Sequence, residues 1–461
     1  MNWQTILVAM LPEHILLVGI VLLVFAPWMR LTARSSPDIG FIAVAIAVVA
    51  AAALYASGYA LAPFPEHFSV TPASALAKAI VLALALPVLL MARADFREGP
   101  FTLLVLSSLY GVCLLLSYDS FLTLFLGIEI MSLPVYALVL LAFQRTASIE
   151  AALKYLVLGG TATAMLLMGA SMLYGGTGSL SITAFSQALA SGEVQLTAGV
   201  VLVVVAFFIK AAIVPFHSWA PDAYEGASVP VTAYMSTIVK SGVLLAAARL
   251  FGSDALPRPA ADLIAILPLV SIVWGNLAAM RQSSFRRMIG YSSIAHAGYL
   301  FYAFLGDGDT RFQAVLFYMI AYGIMNLLAF AALPRGGDDA SRDRLDNLKG
   351  LFQRKPYAAI AIAVAMLSLA GLPPFPGFVA KFLIFRNVMA AGYTLYAVLG
   401  LVGSYVGIYF YLRVIQYLFM APRSAPAGEV IPMRSALSAS YLCMIVAIVL
   451  TVAPGWIIGR L

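Results

Sequence analysis

Fourteen apolar segments divide the chain, at about 8–29, 38–60, 74–92, 100–117, 120–143, 149–174, 195–224, 228–250, 260–280, 284–305, 311–333, 356–391, 393–420 and 436–459. A helix needs roughly 20 residues to cross about 30 Å of hydrocarbon, and nearly every segment reaches that length. Inside lipid each backbone N–H and C=O must be bonded within the protein, which leaves helices or a closed barrel. The short alternating segments of a barrel are missing from the sequence. Charged residues make up 10% of the chain, against about 25% in an average soluble domain. The expected fold is an all-α polytopic membrane protein with about fourteen transmembrane helices. The start, MNWQTILVAMLPEHILL, lacks the basic stretch and cleavage site of a signal peptide, so it is expected to stay as the start of the first span.

The basic residues orient these spans. With the N-terminus outside, the inner loops hold Arg30, Arg34, Arg93, Arg97, Arg145, Arg281, Arg286, Arg287, Arg335, Arg342, Arg344, Lys349, Arg354, Lys355, Arg423 and Arg434. The outer side holds Arg249, Arg258, Arg311, Arg386 and Arg460. Sixteen against five is a strong positive-inside bias, and a miscount of one span would scramble it. Both termini are therefore expected on the outer, periplasmic side of a bacterial cytoplasmic membrane. The net charge of +7 is topological, and it gives no reason to expect nucleic acid as a partner.

Six basic residues remain inside the spans: Lys78, Lys154, Lys210, Lys240, Lys381 and Arg413. A charge at membrane depth costs about 2.5–3.5 kcal/mol on insertion scales, so each needs a compensating arrangement or a function. Lys78 lies near the end of its segment, where snorkelling and a functional role are both open. Arg413 reads as a snorkelling or structural residue, and depth leaves Lys154 ambiguous. Lys210, Lys240 and Lys381 lie deeper. Glu129, in LFLGIEIMSLPVYAL, reads as the one carboxylate at mid-span and as the natural partner of a buried lysine. Pairing favours charged forms and burial favours neutral ones, so a pair poised between them can pass a proton when a neighbour moves. A static salt bridge that fixes packing is the alternative. His217 and His296 are the other titratable groups at this depth. Ser292, Ser293, Tyr291 and Tyr299 surround His296 in sequence and can hold water beside it.

Two spans are interrupted by proline, one at Val214-Pro215 before His217, the other at GLPPFPG (371–377), which contains Pro373 and Pro374. Proline removes a backbone donor and ends the helical ladder locally. Irregular backbone is tolerated at membrane depth only where it is buried in protein or lines a wet cavity. Two broken spans five apart, each with a lysine, suggest two related five-helix halves, which an odd helix count forces to be inverted. The resulting organisation is a three-helix segment (1–99), a first repeat of helices 4–8 (100–250), an inverted repeat of helices 9–13 (260–420) and a last helix (434–461).

Cys113 and Cys443 sit in apolar runs as small buried hydrophobes. No Cys/His spacing suits a metal, and no glycine-rich loop suits a nucleotide. The charged stretch 334–356, with Leu345, Leu348, Leu351 and Phe352, fits either a short amphipathic helix or a solvated connector.

The motifs GIEIMSLPVYALV (127–139), IEAALKYLVLGG (149–160), VPFHSWAPDAYEGA (214–227), PVTAYMSTIVKSG (230–242), SSIAHAGYL (292–300) and GLPPFPGFVAKF (371–382) resemble the antiporter-like membrane subunits of respiratory complex I. The PFHSWAPDAYEGA form is most similar to the N-type subunit of proton-pumping NADH:quinone oxidoreductase. The resemblance implies fourteen helices, inverted repeats and a central hydrophilic axis that carries protons. It pairs Glu129 with Lys210, places Lys154, Lys240 and Lys381 on the axis, and puts His296 at a conducting position. It also implies that flavin, iron–sulfur clusters and quinone belong to partner subunits, not to this chain. Ala380 stands where the family commonly has glycine, and Pro376 adds a proline to the second break.

The expectation is a proton-translocating subunit with Glu129, Lys154, Lys210, Lys240, His296 and Lys381 on the path. Pro215, His217, Pro373 and Pro374 mark its hinges. Neighbouring antiporter-like subunits and the bilayer are the expected partners. Two alternatives remain: a subunit of a multi-subunit cation/proton (sodium/proton) antiporter, and a scaffold whose buried charges only specify packing.

Overall fold

The computed structural model describes residues 3–26, 28, 36–96, 100–141, 146–251, 256, 258–305, 308–334, 344–421 and 434–461. Arg30, Arg34, Arg97, Arg145, Arg335, Arg342 and Arg423, assigned above to inner loops, lie outside the described residues.

Ten of the described helices are long and apolar enough to cross a membrane. In chain order the helices are α1 (Trp3–Ala9), α2 (Leu11–Phe25), α3 (Ser36–Ala56), α4 (Pro72–Asp95), α5 (Phe101–Leu116), α6 (Phe121–Leu140), α7 (Thr146–Thr177), α8 (Ile182–Ser191), α9 (Val194–Ala211) and α10 (Trp219–Gly226). Then come α11 (Val229–Leu250), α12 (Arg258–Ala279), α13 (Phe285–Tyr302), α14 (Gly308–Ala332), α15 (Leu351–Arg354), α16 (Pro356–Ala370), α17 (Pro376–Ala390), α18 (Thr394–Phe419), α19 (Arg434–Val452) and α20 (Pro454–Ile458).

The chain is all-α but for one short hairpin among the described residues. Strands β1 (Leu61–Phe64) and β2 (Phe68–Val70) pair antiparallel between α3 and α4. This hairpin is tied to the turn after α5, where Ser69 N–H donates to Ser117 O and Asp119 N–H donates to His67 O, both at 2.9 Å. A hairpin can stand here because its strands pair with each other and its rim bonds to the turn after α5. The first apolar run is also not one straight helix: α1 and α2 meet at 82°.

Helices α11 and α14 form the centre, buried along almost all of their lengths, and α4 packs on both. The remaining long helices surround them and leave apolar faces exposed, including Leu153 and Val157 on α7 and Tyr405 and Tyr409 on α18. Such a shell suits lipid or neighbouring chains. Helix α11 contains one π turn, Met235–Val239, immediately before Lys240. π turns widen a helix locally and cluster at functional positions.

In the loop before α16, Leu345, Leu348 and Leu351 are buried, and Phe352 meets Phe419 with ring centroids 4.8 Å apart. The apolar face of this stretch therefore covers the end of α18. Arg413 donates to Met280 O at 2.6 Å and Gln282 O at 2.7 Å, satisfying carbonyls at the end of α12. That is a capping role.

A buried row of lysines, hydroxyls and a histidine

Proline breaks position the lysines. Helix α9 ends with Ala212 in the left-handed region at φ 63°, two residues after Lys210. A cation in the last turn of a helix lies where the carbonyl ends of its peptide dipoles gather. The break is held on both sides: Trp219 Nε1–H donates back to Ile209 O at 3.0 Å, and Val214 N–H donates to Ser271 Oγ at 2.9 Å. Lys210 Nζ lies 3.8 Å from Glu129 Oε1, 3.5 Å from Ser132 Oγ and 3.4 Å from the Tyr136 hydroxyl. Thr163 donates to the same Glu129 oxygen at 2.5 Å. Gly159 makes room for this arrangement, because a Cβ there would stand 1.9 Å from the Tyr136 hydroxyl.

Lys381 occupies the second break from the other side. It sits on α17, after the break, and its ammonium donates to Leu369 O at 3.1 Å and Ala370 O at 3.0 Å, the carbonyl end of α16. It also donates to Ser404 Oγ at 3.0 Å, and lies 4.9 Å from the Tyr299 ring centroid. Gly371, at φ 83°, turns the chain beneath the lysine. Positive φ of this kind suits glycine, which has no Cβ to clash.

Between the breaks lie Lys240 and His296. The Lys240 ammonium donates to both the carbonyl and the hydroxyl of Ser293, and the Tyr224 hydroxyl lies 3.1 Å from that Ser293 Oγ. Tyr322 bridges onward, with its ring 5.9 Å from Lys240 Nζ and 4.7 Å from the His296 ring. His296 has a hydroxyl on each nitrogen: Tyr318 at 2.7 Å from Nδ1 and Tyr411 at 3.1 Å from Nε2. Tyr411 reaches Ser292 Oγ at 2.6 Å. A small cavity lined by His296, Tyr318, Tyr322, Ser368, Leu369 and Ala380 opens between this histidine and the break that holds Lys381.

The row is thus built of hydrogen-bonded groups, Lys240 with Ser293 and Tyr224, His296 with Tyr318, Tyr411 and Ser292, and Lys381 with Ser404, with the Tyr322 ring between the first two. Imidazole with a hydroxyl on each nitrogen can take a proton on one side and release one on the other.

Other expected residues lie apart from this row. Lys154 is 45% exposed and pairs with Glu150 and Asp222 at 2.7 Å each, in a cluster with Arg287 and Glu225 at one end of the helices. His217 Nε2 accepts from Trp274 Nε1–H at 2.9 Å, at the partly exposed edge of the break. Pro215, Pro373 and Pro374 are exposed. Tyr291 lies against Arg287 instead of His296. Lys240 is tied to Ser293 on α13, the helix of His296.

Sequence reasoning missed one carboxylate. Besides Glu129, Glu13 in the first turn of α2 is fully buried and lies 2.6 Å from Lys78 Nζ. The signal was present: Glu13 stands five residues inside the first apolar run.

The membrane domain described as NADH:quinone oxidoreductase/Mrp antiporter, TM, matches residues 119–407. The chain belongs to this family. A relative from Pelobacter propionicus, named NADH-quinone oxidoreductase subunit N, is 38% identical over 416 residues, covering 90% of this chain and 89% of the relative. A chain of respiratory complex I from Thermus thermophilus superposes with a TM-score of 0.86 at 34% identity, over 97% of this chain and 98% of that one. A chain of the Mrp complex from a Dietzia species superposes at 0.83 with 21% identity, covering 100% of this chain and 96% of that one, which shows a shared fold. Within this antiporter-type chain, the family match takes in Glu129, Lys210, Lys240, His296 and Lys381, while Glu13 and Lys78 precede it.

Proposed function

We propose that the chain is the proton-translocating, N-type membrane subunit of a bacterial NADH:quinone oxidoreductase, with the redox chemistry performed by partner subunits. The observation that carries this reading is the row from Lys240 through Ser293 and His296 to Lys381, beside the Glu129–Lys210 pair. Protons move through the pair, then Lys240, His296 and Lys381, with internal water completing the gaps. Lys154 acts apart from the row, in the charged cluster with Asp222 and Arg287. A charge moving in an adjacent subunit shifts the pair and hence the next site's hold on its proton.

Fourteen crossings fit this reading, with α1–α2, α9–α10 and α16–α17 each counted as one and α8, α15 and α20 left out. The packing supports two inverted repeats: α5 on α6, and α7 on both α9 and α10, are mirrored by α12 on α13, and α14 on both α16 and α17. Both termini lie on the periplasmic face of the inner membrane, as the arginine and lysine bias requires. Pro215, Pro373 and Pro374 act as hinges, with His217 held beside the first. Their exposure at membrane depth calls for cover, which neighbouring antiporter-like subunits provide.

Likeness to the Mrp complex favours, as a second reading, a subunit of a cation/proton antiporter. Copurification with mass spectrometry separates the two. Flavin- and iron–sulfur-bearing chains of an NADH dehydrogenase in the complex support the first, and antiporter subunits alone support the second.

A further inference from the structure

Glu13 and Lys78 form a second ion pair buried inside the protein, remote in sequence from the matched family segment. The carboxylate is 0% exposed and the ammonium 1% exposed, 2.6 Å apart. Among the described residues, neither Glu13 oxygen nor the Lys78 nitrogen has a hydrogen bond of good geometry beyond this contact. That separates the pair from Lys240 and Lys381, whose ammonium groups are surrounded by carbonyls and hydroxyls. Two buried charges recover their desolvation cost only when further hydrogen bonds support them. Here that support is absent among the described residues.

The pair lies between the hairpin and the central helices. Toward the hairpin face, Ser74 lies one helical turn before Lys78 on α4, on the same side of that helix. Ser117 Oγ reaches Ser74 Oγ at 3.4 Å, and the turn after Ser117 carries Asp119, which Arg249 meets at 3.3 Å, beside exposed His67. Toward the interior, α4 packs directly on α11, the helix of Lys240. Tyr110 and Cys113 on α5 face the pair, and the Phe68 ring of the hairpin lies 4.9 Å from the ammonium.

We propose that Glu13 and Lys78 are a proton-exchange site between the Lys240 region and the hairpin face of the membrane. The inference rests on the proton-translocating reading above. In the exchange, an N–H bond of Lys78 breaks and an O–H bond forms on Glu13. The acid then gives its proton to the hairpin side, and the amine takes one from the interior, so one proton crosses the site and both groups return to their starting charges.

The test uses the complete complex in inverted membrane vesicles, with proton uptake measured per quinone reduced and subunit content checked on each preparation. Glu13→Gln, Lys78→Met and the double variant are compared. The double variant leaves no unpaired buried charge, so a packing role predicts that it restores both assembly and wild-type stoichiometry. Exchange predicts that the assembled double variant loses part of its proton uptake per quinone. Wild-type stoichiometry in the double variant overturns the proposal. Loss of assembly in all variants, Glu13→Asp included, also overturns it, because the pair is then a packing lock. Lys210→Ala in the same vesicles separates the two levels: normal stoichiometry there defeats the translocation reading itself, whereas a deficit there with normal Glu13 and Lys78 variants defeats only this site.

Discussion

Lys210 and Glu129 face each other at 3.8 Å, while Thr163 holds the same carboxylate oxygen at 2.5 Å. The carboxylate is shared, and the hydroxyl has the closer grip. Two unit charges about 4 Å apart interact by about 4 kcal/mol at an effective dielectric near 20, and doubling the separation halves that. A side-chain movement of a few ångströms is therefore enough to change which partner dominates. The geometry suits a pair that is meant to be perturbed.

Thr163→Val tests that sharing. The variant keeps the shape of the side chain and removes its donor, so Glu129 settles against Lys210. The lost hydrogen bond costs about 1 kcal/mol, and the complex should still assemble. Turnover of coupled proton uptake should fall, because the tighter pair opens less readily. Unchanged turnover would mean that Thr163 does not tune the pair.

Gly377→Ala tests the second break. An added Cβ would stand 1.8 Å from Ser368 O, so α16 and α17 must separate where they fold back on each other. Overpacking of this kind costs about 1–3 kcal/mol, and it should appear as a lower unfolding temperature of the purified complex. Proton uptake per quinone should fall with it, since Lys381 depends on the α16 carbonyls for its position. A stable, fully coupled variant would show that the close approach of the two half-helices is dispensable.

Tyr318→Phe removes the hydroxyl at His296 Nδ1 and leaves Tyr411 at Nε2. The imidazole then lacks one of its two exchange partners. Proton uptake per quinone should drop while the assembled complex keeps wild-type subunit content. Tyr302→Phe serves as the control, because the Tyr302 hydroxyl is buried without a hydrogen-bond partner among the described residues.

Much of this arrangement can be read from the residues, for physical reasons. Apolar length and arginine placement determine the spans, because lipid imposes a minimum helix length and the two membrane faces differ in charge. The breaks at Pro215 and Pro373-Pro374 show because proline cannot continue a helical ladder. The π turn before Lys240 leaves no such mark, since Met235–Val239 are residues that an α-helix accepts equally well. The position of Lys154, in an exposed cluster with Glu150 and Asp222, depends on how α7 is rotated against α10, which residue depth does not reveal. The Glu13–Lys78 pair joins two helices far apart in sequence, and only their packing brings a residue that looks able to snorkel against a carboxylate.

The central claim is that Lys210 passes protons instead of only holding helices together. The most direct measurement is proton uptake per quinone reduced by the reconstituted complex carrying Lys210→Ala. Glu129→Gln/Lys210→Met is measured alongside, to remove both charges at once. The account predicts that both variants assemble and reduce quinone with an artificial donor, while proton uptake is lost. Wild-type stoichiometry in either would contradict it.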